Sequence, residues 1–476
     1  MPQDGYELEW SGEEMRAVVD RVMRRVAEHI DTLPQQPASN SEEGARVARE
    51  LAEKLPENGQ PLDDVLNTVF DEAAPISYNT AGPGYLAYIP GGGVPASAVA
   101  SLIADAVNRY VGVWLAAPGF VQLEVNVVRW FCEIIGYPAS AGGILTTGGS
   151  LANFTAVVTA RRERMPENFL RGTVYTSDQT HHSVVKAAML AGLPERNVRA
   201  VPSNDRYQVR LEDMAQRMQR DRAEGLEPFM VVGNAGTTNT GAVDDLEGLA
   251  DLAVQEGVWL HIDAAYGGFF MLTERGRRVL RGIERADSVT LDPHKGLFLP
   301  YGNGSLLLRD PQALRRAHST FSDYMPPMQD DWDLVDFCQL SPELSRGFRG
   351  LRAWLPIKLH GIAAFRRSLD EKLDLTEWAA GELRAIPGMQ ILAEPQLSLV
   401  VFRLAPPDRG EDEFNDLNRR LLEGINRRKN VYLTATTLED RFALRICVLS
   451  FRTHRDRMEQ CIADIRHAVA EVTAAQ

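Results

Sequence analysis

The sequence has little cysteine, no long hydrophobic run and no excess of basic charge. Its four cysteines are scattered among 476 residues, without the paired spacing of a zinc site or a disulfide framework. No stretch contains the roughly 18 consecutive apolar residues of a membrane helix. Met1–Trp10 also lacks the basic and apolar regions of a signal peptide. We therefore expect a cytoplasmic protein that binds neither a metal nor a membrane.

The balance of charge narrows the range of partners further. Acidic residues outnumber basic residues by 65 to 51, which gives a net charge of -14. Such a charge repels the phosphates of nucleic acids, so nucleic acid is not an expected partner. What is present, with 44% hydrophobic residues, indicates an ordinary globular protein of about two or three domains.

The N-terminal part begins with an amphipathic helix. Ser11 and Glu14 have the spacing of a capping box, and apolar residues then recur on one helical face from Met15 to Ile30. Such a face must be buried, either against the chain's own core or against a second subunit. The periodicity alone favours neither partner.

The region from 91 to 356 alternates between helical stretches and short apolar runs. Runs of this kind are typical of parallel strands that are buried on both faces. They predict an α/β domain with a mostly parallel sheet, whose ligands bind beyond the carboxyl ends of the strands. The four clearest runs are Thr173–Thr176, Phe229–Gly233, Val258–Ile262 and Ser288–Leu291.

The pattern changes after residue 356. Helices and a few strands follow, including Leu399–Leu404 and Ala443–Leu449, and a last amphipathic helix spans about Met458–Val472. Residues 357–476 are therefore predicted to form a smaller α+β domain. Before it, the irregular stretch Ser322–Leu344 is long enough to form a lid.

A lysine follows the last of the predicted parallel strands. Lys295 lies in the run DPHKG, directly after Ser288–Leu291. A lysine amine can form an imine with an aldehyde cofactor when its pKa is lowered by desolvation or by neighbouring cations. By itself this indication is weak, because a single lysine usually lies on the surface.

A carboxylate follows the neighbouring strand. Asp263 comes directly after Val258–Ile262 and precedes a series of small residues that includes Ala265. Asp263 could keep a pyridine nitrogen protonated, and Ala265 would leave room for a flat ring. An aspartate that only caps the next turn is the alternative, although Lys295 at the same edge favours the first interpretation.

A glycine-rich turn precedes a helical pattern that begins near Leu151. Gly148 and Gly149 would let backbone amides approach a phosphate, and Ser150 could add a hydroxyl donor. Ser150 could equally be no more than the N-cap of that helix.

Two loops complete the predicted edge of the sheet. His181 follows Thr173–Thr176 and could stack on a cofactor and move a proton, although a histidine in a loop is more often structural. Asn234 follows Phe229–Gly233 and begins a series of small polar residues. Four moderate indications therefore converge on one edge.

These motifs, in this order, resemble those of the group II pyridoxal-phosphate decarboxylases, which include the aromatic-L-amino-acid, glutamate and histidine decarboxylases. The resemblance covers most of the chain and depends on specific motifs. The matching segments are 82–88 (GPGYLAY), the turn at 142–150, the loop at 177–183, 263–267 (DAAYG), 292–295 (DPHK) and 344–349 (LSRGFR).

The resemblance implies fold type I of the pyridoxal-phosphate enzymes, which is aspartate-aminotransferase-like, and a homodimer with its active site at the subunit boundary. Residues 1–90 would then form an N-terminal helical segment that packs on the partner subunit. Residues 91–356 would form the large cofactor-binding domain, and residues 357–476 the small C-terminal domain.

The resemblance also implies pyridoxal 5'-phosphate as the cofactor. Lys295 is similar to the lysine that forms a Schiff base with it, and Asp263 to the partner of the pyridine nitrogen. His181 resembles the histidine that stacks on the ring, and Ala265 would pack on the opposite face. The other expected contacts are Gly148, Gly149, Ser150, His294, Asn234 in place of a usual threonine, and Asp292 in place of an asparagine of the aromatic-amino-acid branch.

The implied activity is decarboxylation of an L-amino acid, with aromatic substrates favoured by the family, to the amine and carbon dioxide. The lid departs from the family pattern. Phe337, or Cys338 with a shifted gap, lies where the aromatic-amino-acid enzymes carry a mobile catalytic tyrosine. Members with phenylalanine there can divert to decarboxylation with oxidative deamination, which yields an aldehyde, although Tyr324 is an alternative source of the hydroxyl here.

The expected substrate pocket also differs from that of the aromatic-amino-acid enzymes. Ile89 and Gly112 stand where aromatic side chains line the pocket, which predicts a wider or less aromatic space. The other residues expected there are Tyr88, Pro90 and Trp114.

Two other functions stay open on the sequence alone. Transamination would need a cation that anchors the substrate carboxylate, and Arg445 is a candidate that could equally be a structural ion-pair partner. A non-catalytic homologue that has kept the fold is the second, and the set of Asp263, His181 and Lys295 argues against it.

Overall fold

Two β-sheets organise the protein in its computed structural model, which describes residues 8–320, 323, 325–329, 334–407 and 410–474. The first sheet contains β1 (Gly142–Thr146), β2 (Gly172–Ser177), β3 (Val198–Val201), β4 (Glu227–Asn234), β5 (Trp259–Asp263), β6 (Ser288–Leu291) and β7 (Gly304–Leu308). The second contains β8 (Met389–Ala393), β9 (Leu399–Leu404), β10 (Thr434–Leu438) and β11 (Arg441–Cys447).

The first sheet has seven strands in the order β1-β7-β6-β5-β4-β2-β3. The strands β3, β2, β4, β5 and β6 run parallel, whereas β7 is antiparallel to both of its neighbours, β6 and β1. The four runs predicted from the sequence correspond to β2, β4, β5 and β6, with ends that differ by at most two residues. The predicted α/β fold with a mostly parallel sheet is confirmed.

Helices surround the sheets. Those of the described residues are α1 (Gly12–Thr32), α2 (Gly44–Glu50), α3 (Leu62–Asn67), α4 (Pro95–Val107), α5 (Pro118–Ile135), α6 (Gly149–Arg164), α7 (Ser183–Leu190), α8 (Leu211–Ala223), α9 (Leu246–Glu256), α10 (Glu274–Val279), α11 (Pro293–Gly296), α12 (Gln312–His318), α13 (Gly350–His360), α14 (Ile362–Arg384), α15 (Glu411–Arg427) and α16 (Arg455–Ala474). A π-helix spans Thr68–Ala73, and short 3₁₀ helices span Trp114–Ala116, Glu195–Asn197, Gly268–Leu272, Ile283–Arg285 and Phe337–Gln339.

Alternate residues of the large sheet enter two separate hydrophobic cores. In β4, Met230 and Val232 pack in one core, together with apolar residues of α6 and α7, whereas Val231 packs in the other. This alternation follows from the pleat of a strand, because successive side chains point to opposite faces. Both faces of the sheet are therefore covered, and its functional edge is left at the strand ends.

The second sheet is antiparallel throughout, in the order β10-β11-β9-β8. One of its faces packs against α14, α15 and α16 in a third core, and the other joins the core of the large sheet. The strand predicted at Ala443–Leu449 begins and ends two residues earlier, as β11. Just after it, the Val448 backbone N–H donates to the carbonyl of Ser398 at 2.8 Å.

The first helix begins as its sequence predicts. Ser11 Oγ accepts from the Glu14 backbone N–H, and the Glu14 carboxylate accepts from the Ser11 backbone N–H. No residue of α1 is buried, and Met23 on its apolar face is 46% exposed. The described residues cover this face only in part. Among the residues that the structure describes, no helix is both long and apolar enough to cross a lipid bilayer.

Candidate active site

A cleft of about 320 Å³ opens at the carboxyl ends of β2, β4, β5 and β6. It includes all ten residues that the sequence predicts around the cofactor, which are Gly148, Gly149, Ser150, His181, Asn234, Asp263, Ala265, Asp292, His294 and Lys295. Further residues that line it are Thr147, Leu151, Asn153, Ser183, Gly236, Thr237, Thr238 and Tyr266.

Lys295 lies on α11, a single helical turn that begins at Pro293 directly after β6. Proline is favoured at the first position of a helix because its missing N–H would have no partner there. Lys295 Nζ lies 3.0 Å from Asp292 Oδ2, and the carboxylate is buried. The other oxygen, Asp292 Oδ1, has no hydrogen-bond partner among the described residues. The turn thus presents an amine beside an incompletely bonded carboxylate.

Asp263 ends β5, next to β6 in the sheet. Its Oδ2 accepts from Asn153 Nδ2 at 2.9 Å, and its Oδ1 accepts from the Ala265 backbone N–H at 3.1 Å. The side chain of Asp263 is nearly buried but still lines the cleft. The Asp263 carboxylate is thus held in place at the cleft, where its negative charge would attract a cationic group of a ligand.

His181 follows β2 and is held by its neighbour Ser183. Its Nδ1 lies 2.8 Å from Ser183 Oγ and accepts from the Ser183 backbone N–H at 3.3 Å. Burial lowers the pKa of His181 below its ordinary value, partly offset by the charge of Asp263. The imidazole is therefore neutral at pH 7, and its proton lies on Nε2.

The glycine turn leads into α6, whose N-terminus has no side-chain cap. Backbone N–H groups at an uncapped helix N-terminus attract anions, and the exposed Ser150 adds a hydroxyl. A Cβ atom at Gly149 would lie 3.0 Å from Asp292 Oδ2 and 3.4 Å from the Cβ of Ala265. Glycine at this position therefore allows the turn to pack closely against the strand ends.

Asn234 and His294 line the cleft while they also hold the backbone around it. Asn234 Nδ2 donates to Asp244 Oδ2 at 2.8 Å and to Thr180 Oγ1 at 3.1 Å. His294 Nδ1 donates to the carbonyl of Asn303 at 2.6 Å, which leaves its Nε2 toward Asp292 at 3.6 Å. Both side chains thus have evident structural partners.

The residues expected around the substrate are not brought into this cleft. Tyr88 is 52% exposed, while Ile89 and Pro90 are buried beside it. Gly112 and Trp114 lie with the lid instead, because the Gly112 carbonyl accepts from the Cys338 N–H at 2.9 Å and the Trp114 N–H donates to Asp336 at 2.7 Å. None of these five lines the cleft.

None of the described residues of the predicted lid lines the cleft. Phe337 is 1% exposed, lies in the hydrophobic core below the sheet and has the guanidinium of Arg346 4.8 Å above its ring. Phe337 therefore does not reach the cleft in this conformation. Tyr324 lies outside the described residues.

Arg445 is buried and occupied by backbone groups. Its Nε donates to the Asn239 carbonyl at 2.9 Å, its Nη1 to Thr434 Oγ1 at 3.0 Å, and its Nη2 to the Thr238 carbonyl. Burial lowers the pKa of Arg445. It holds the loop after β4 and does not line the cleft, so the geometry does not support it as a carboxylate anchor for transamination.

Sequence reasoning missed several residues of the cleft. Ser183, Thr237 and Tyr266 lie within motifs that the sequence singles out, but nothing in the motifs marks them individually. Asn153 carries a weak signal, because it is an amide among the small residues Ala152, Ala156 and Ala160 of α6, although Thr155 and Thr159 are also polar and buried there.

The chain matches the family model of the pyridoxal-dependent decarboxylase conserved domain over residues 45–405. It is 34% identical over 472 residues to an aromatic-L-amino-acid decarboxylase of Bacillus atrophaeus, with 98% of each chain covered. It is 29% identical to a phenylacetaldehyde synthase of Petunia hybrida, over 92% of this chain and 90% of that one. A crystal structure of Catharanthus roseus tryptophan decarboxylase in complex with L-tryptophan has a TM-score of 0.90 and 26% identity, covering 97% of this chain and 99% of the other.

The fold and the cleft thus define a fold type I pyridoxal-phosphate enzyme. Within that class, the chain belongs to the pyridoxal-dependent decarboxylase family and is an amino-acid decarboxylase. The family, the cofactor and the activity predicted from the motifs are confirmed.

The residues of the cleft suit this cofactor chemically. The uncapped N-terminus of α6 suits a phosphate, the carboxylate of Asp263 suits a protonated pyridine nitrogen, and the amine of Lys295 suits an aldehyde. The three groups line one cleft, as a single small molecule with those three functions requires.

Proposed function

We propose that the protein decarboxylates an aromatic L-amino acid and releases the amine and carbon dioxide. The names of the Bacillus atrophaeus and Catharanthus roseus proteins support the aromatic class. The observation that carries the proposal is the cleft in which Lys295, Asp263 and His181 lie together.

The proposed roles follow from the positions of these side chains. Pyridoxal phosphate, when bound, supplies an electron-withdrawing ring that takes up the electron pair of the bond to the substrate carboxyl group. Lys295 would provide the covalent attachment through Nζ, which the substrate amine displaces. Asp263, oriented by Asn153 and Ala265, would hold a proton on the pyridine nitrogen.

The remaining cleft residues would position the reacting groups. The neutral His181 would lie against one face of the ring and Ala265 against the other. Gly148, Gly149 and Ser150 would hold the phosphate, with Asp292, His294 and Asn234 fixing the surrounding backbone and the lysine. These assignments are supported by the shared cleft and by the hydrogen bonds of His181, Asn234 and His294.

A substrate panel tests the proposal directly. The protein with added pyridoxal phosphate is incubated with aromatic, acidic and aliphatic L-amino acids, and carbon dioxide, amine, aldehyde and keto acid are measured. We expect carbon dioxide and amine from at least one aromatic amino acid. Release from acidic or aliphatic substrates alone would contradict the aromatic class, and keto acid without carbon dioxide would contradict decarboxylation.

An aldehyde product is the second candidate, and the similarity to the Petunia hybrida phenylacetaldehyde synthase favours it. Conversion of an amine to an aldehyde and ammonia removes two electrons, so dioxygen would be reduced to hydrogen peroxide in the same measure. Oxygen uptake that matches the release of carbon dioxide would identify this reaction, whereas its absence would identify the amine-forming one. The role of Phe337 or Tyr324 in that choice stays a prediction.

We also propose that the protein is a cytoplasmic homodimer in which residues 1–90 pack on the partner, 91–356 form the large domain and 357–476 the small one. The incompletely buried apolar face of α1 and the exposed apolar residues of α4, which are Val99, Leu102, Ile103 and Val107, support an intersubunit surface. The two separate sheets support the domains. The four free cysteines fit a reducing compartment. Sedimentation equilibrium at micromolar concentration tests the dimer, and a monomer would contradict it.

A further inference from the structure

A buried amide lines the inner wall of the cofactor cleft. Asn153, 1% exposed, projects from α6 toward the sheet. A polar group that is buried in this way costs free energy unless all of its hydrogen-bonding groups are used. The burial of the Asn153 amide therefore requires hydrogen-bond partners for its donor and acceptor groups.

The partners of Asn153 lie on the neighbouring strands β5 and β6 and on the first turn of α7. Its Nδ2 donates to Asp263 Oδ2 at 2.9 Å and to Ser183 Oγ at 2.9 Å. Its Oδ1 accepts from Thr290 Oγ1 at 2.8 Å and from His261 Nε2 at 3.1 Å. The amide can take only this orientation, because an ionised carboxylate accepts hydrogen bonds and cannot donate them.

The direction of these bonds is determined by Trp259, which lies farther from the cleft on the same face of the sheet. The Trp259 indole N–H can only donate, and it donates to Ser288 Oγ at 2.8 Å. The Ser288 hydroxyl then donates to His261 Nδ1 at 2.8 Å, which leaves the proton of the neutral ring on Nε2, facing Asn153. Burial lowers the pKa of His261 to about 4, so the ring is neutral near pH 7.

The same donor-to-acceptor direction of the hydrogen bonds continues from Asn153 to His181. Because Ser183 Oγ accepts from Asn153, its own proton is free for His181 Nδ1 at 2.8 Å. The Ser183 backbone N–H donates to the same nitrogen. The chain of hydrogen bonds thus runs from Trp259 through Ser288, His261, Asn153 and Ser183 to His181, with a branch to Asp263.

We propose that Asn153 is a positioning residue that orients the Asp263 carboxylate and holds His181 in the tautomer with its proton on Nε2. The consequence for the reaction rests on the proposed function, since it is there that Asp263 and His181 face the cofactor. Asn153 itself acts through these two side chains.

The variant Asn153→Asp tests the inference with almost no change of shape. The new carboxylate cannot donate to both Asp263 and Ser183, and it places a second acidic group beside Asp263. Asn197→Asp is the matched control, because Asn197 is also buried in the large domain and donates through Nδ2 to two carbonyls, those of Leu170 and Gly172. Thermal unfolding of both variants measures the general cost of the substitution.

The first measurement needs no cofactor. Histidine-selective ¹⁵N NMR of the protein without cofactor, with the signal assigned by His181→Gln, reports the tautomer and the pKa of His181. The charged or titratable groups that face His181 are Asp263, His182, Lys295 and Asp292. We expect Asn153→Asp to raise the pKa of His181 and to mix its tautomers, and Asn197→Asp to leave both unchanged. An unchanged His181 in Asn153→Asp would overturn the inference, whether or not the proposed function holds.

The second measurement uses the protein with cofactor. We expect the dissociation constant of pyridoxal phosphate to rise by roughly 10-fold in Asn153→Asp, the scale at which hydrogen-bond partners of ligating side chains act. The acid limb of kcat/KM should move to higher pH, whereas the control should keep both values. A wild-type protein that binds the cofactor but forms no carbon dioxide would refute the proposed function alone, while equal cofactor affinity and pH profile in Asn153→Asp and Asn197→Asp would refute the positioning role alone.

Discussion

The cofactor cleft and the region around Phe337 are built in different ways. Most of the cleft consists of residues at the ends of the adjacent strands β2, β4, β5 and β6, and the glycine turn reaches it from the end of β1, which β7 separates from β6. The residues expected around the substrate come from separate segments, with Tyr88 exposed and Phe337 in the core. The described residues of one chain thus assemble the cofactor cleft, whereas the residues predicted to contact the substrate lie apart from it.

The second region has its own anchor in the core. Arg346 forms a buried ion pair with Glu124, at 2.5 Å, and donates to the Leu145 carbonyl at 3.1 Å. Glu124 also accepts from the Gly350 N–H at 3.0 Å. The segment after the lid is therefore tied to β1, which leads into the glycine turn of the cleft. The following predictions test how independent the two regions are.

The largest expected effect concerns the cleft. Lys295→Ala removes the amine that would attach the cofactor, so kcat/KM should fall by about 10²–10⁴-fold or more, the range for loss of a positioned reactive group. Intact-protein mass spectrometry after borohydride reduction should find the cofactor bound to the wild type and absent from the variant. The exposed Lys186→Ala serves as control and should keep the adduct. An adduct of equal amount in Lys295→Ala would disprove the assignment.

The next effect concerns the anchor of the second region. Arg346→Ala leaves the buried Glu124 without its ion partner, and loss of one member of a buried pair costs about 3–5 kcal/mol. Thermal and urea unfolding should both occur earlier. Arg384→Ala breaks an ion pair whose side chains are 49% and 68% exposed and should cost at most about 1 kcal/mol. Equal losses of unfolding free energy in the two variants would show that the buried ion pair stabilises the protein no more than an exposed one.

Two neutral histidines lie along α6 and predict a loss of stability in acid. His261 contacts Asn153, and His318 Nε2 lies 3.1 Å from Thr159 Oγ1. Burial lowers the pKa of His318 to about 4, with a further contribution from Arg162. Because the unfolded chain binds a proton more tightly, stability is full above about pH 6.5 and is lost as the pH falls toward 4.

The measurement is the urea midpoint at pH 7 and pH 5. A single histidine of this kind contributes up to about 2 kcal/mol to the difference between these pH values. His318→Gln keeps a side chain that can bond Thr159 and removes the titration, so it should lose less stability on acidification than the wild type. The exposed His360→Gln should behave as the wild type does. A His318→Gln protein that is as sensitive to acid as the wild type would exclude His318 as the cause.

The smallest effect should separate the two regions most clearly. Tyr88→Ala shortens an exposed aromatic side chain outside the cleft and should raise KM for an aromatic substrate by roughly 10-fold, the scale for a lost apolar contact. The dissociation constant of pyridoxal phosphate should stay the same, because Tyr88 does not line the cleft. Leu170→Ala, at an equally exposed position, controls for general surface effects. A changed dissociation constant of pyridoxal phosphate in Tyr88→Ala would show that the cofactor cleft and the region around Tyr88 are not independent.

The sequence predicts the cofactor cleft well because each of its motifs follows a strand directly. Asp263, for example, needs only the periodicity of β5 and the rule that parallel strands end at one edge. The region around Phe337 follows no such rule. Its position depends on a cation above the ring and on an ion pair between residues far apart in the chain, neither of which has a local signal.

By itself, then, the sequence predicted the α/β fold and a ligand edge with Lys295, Asp263 and His181 from local patterns and strand order, whereas the family and the other cleft residues followed from the resemblance of its motifs. Only the tertiary structure decided that Asn153 joins Asp263 to Ser183, that Phe337 is buried and that the described residues leave the apolar face of α1 incompletely buried. The physical reason is that these features depend on which residues, distant in the sequence, meet in space, whereas periodicity records only which face of a helix or strand is apolar.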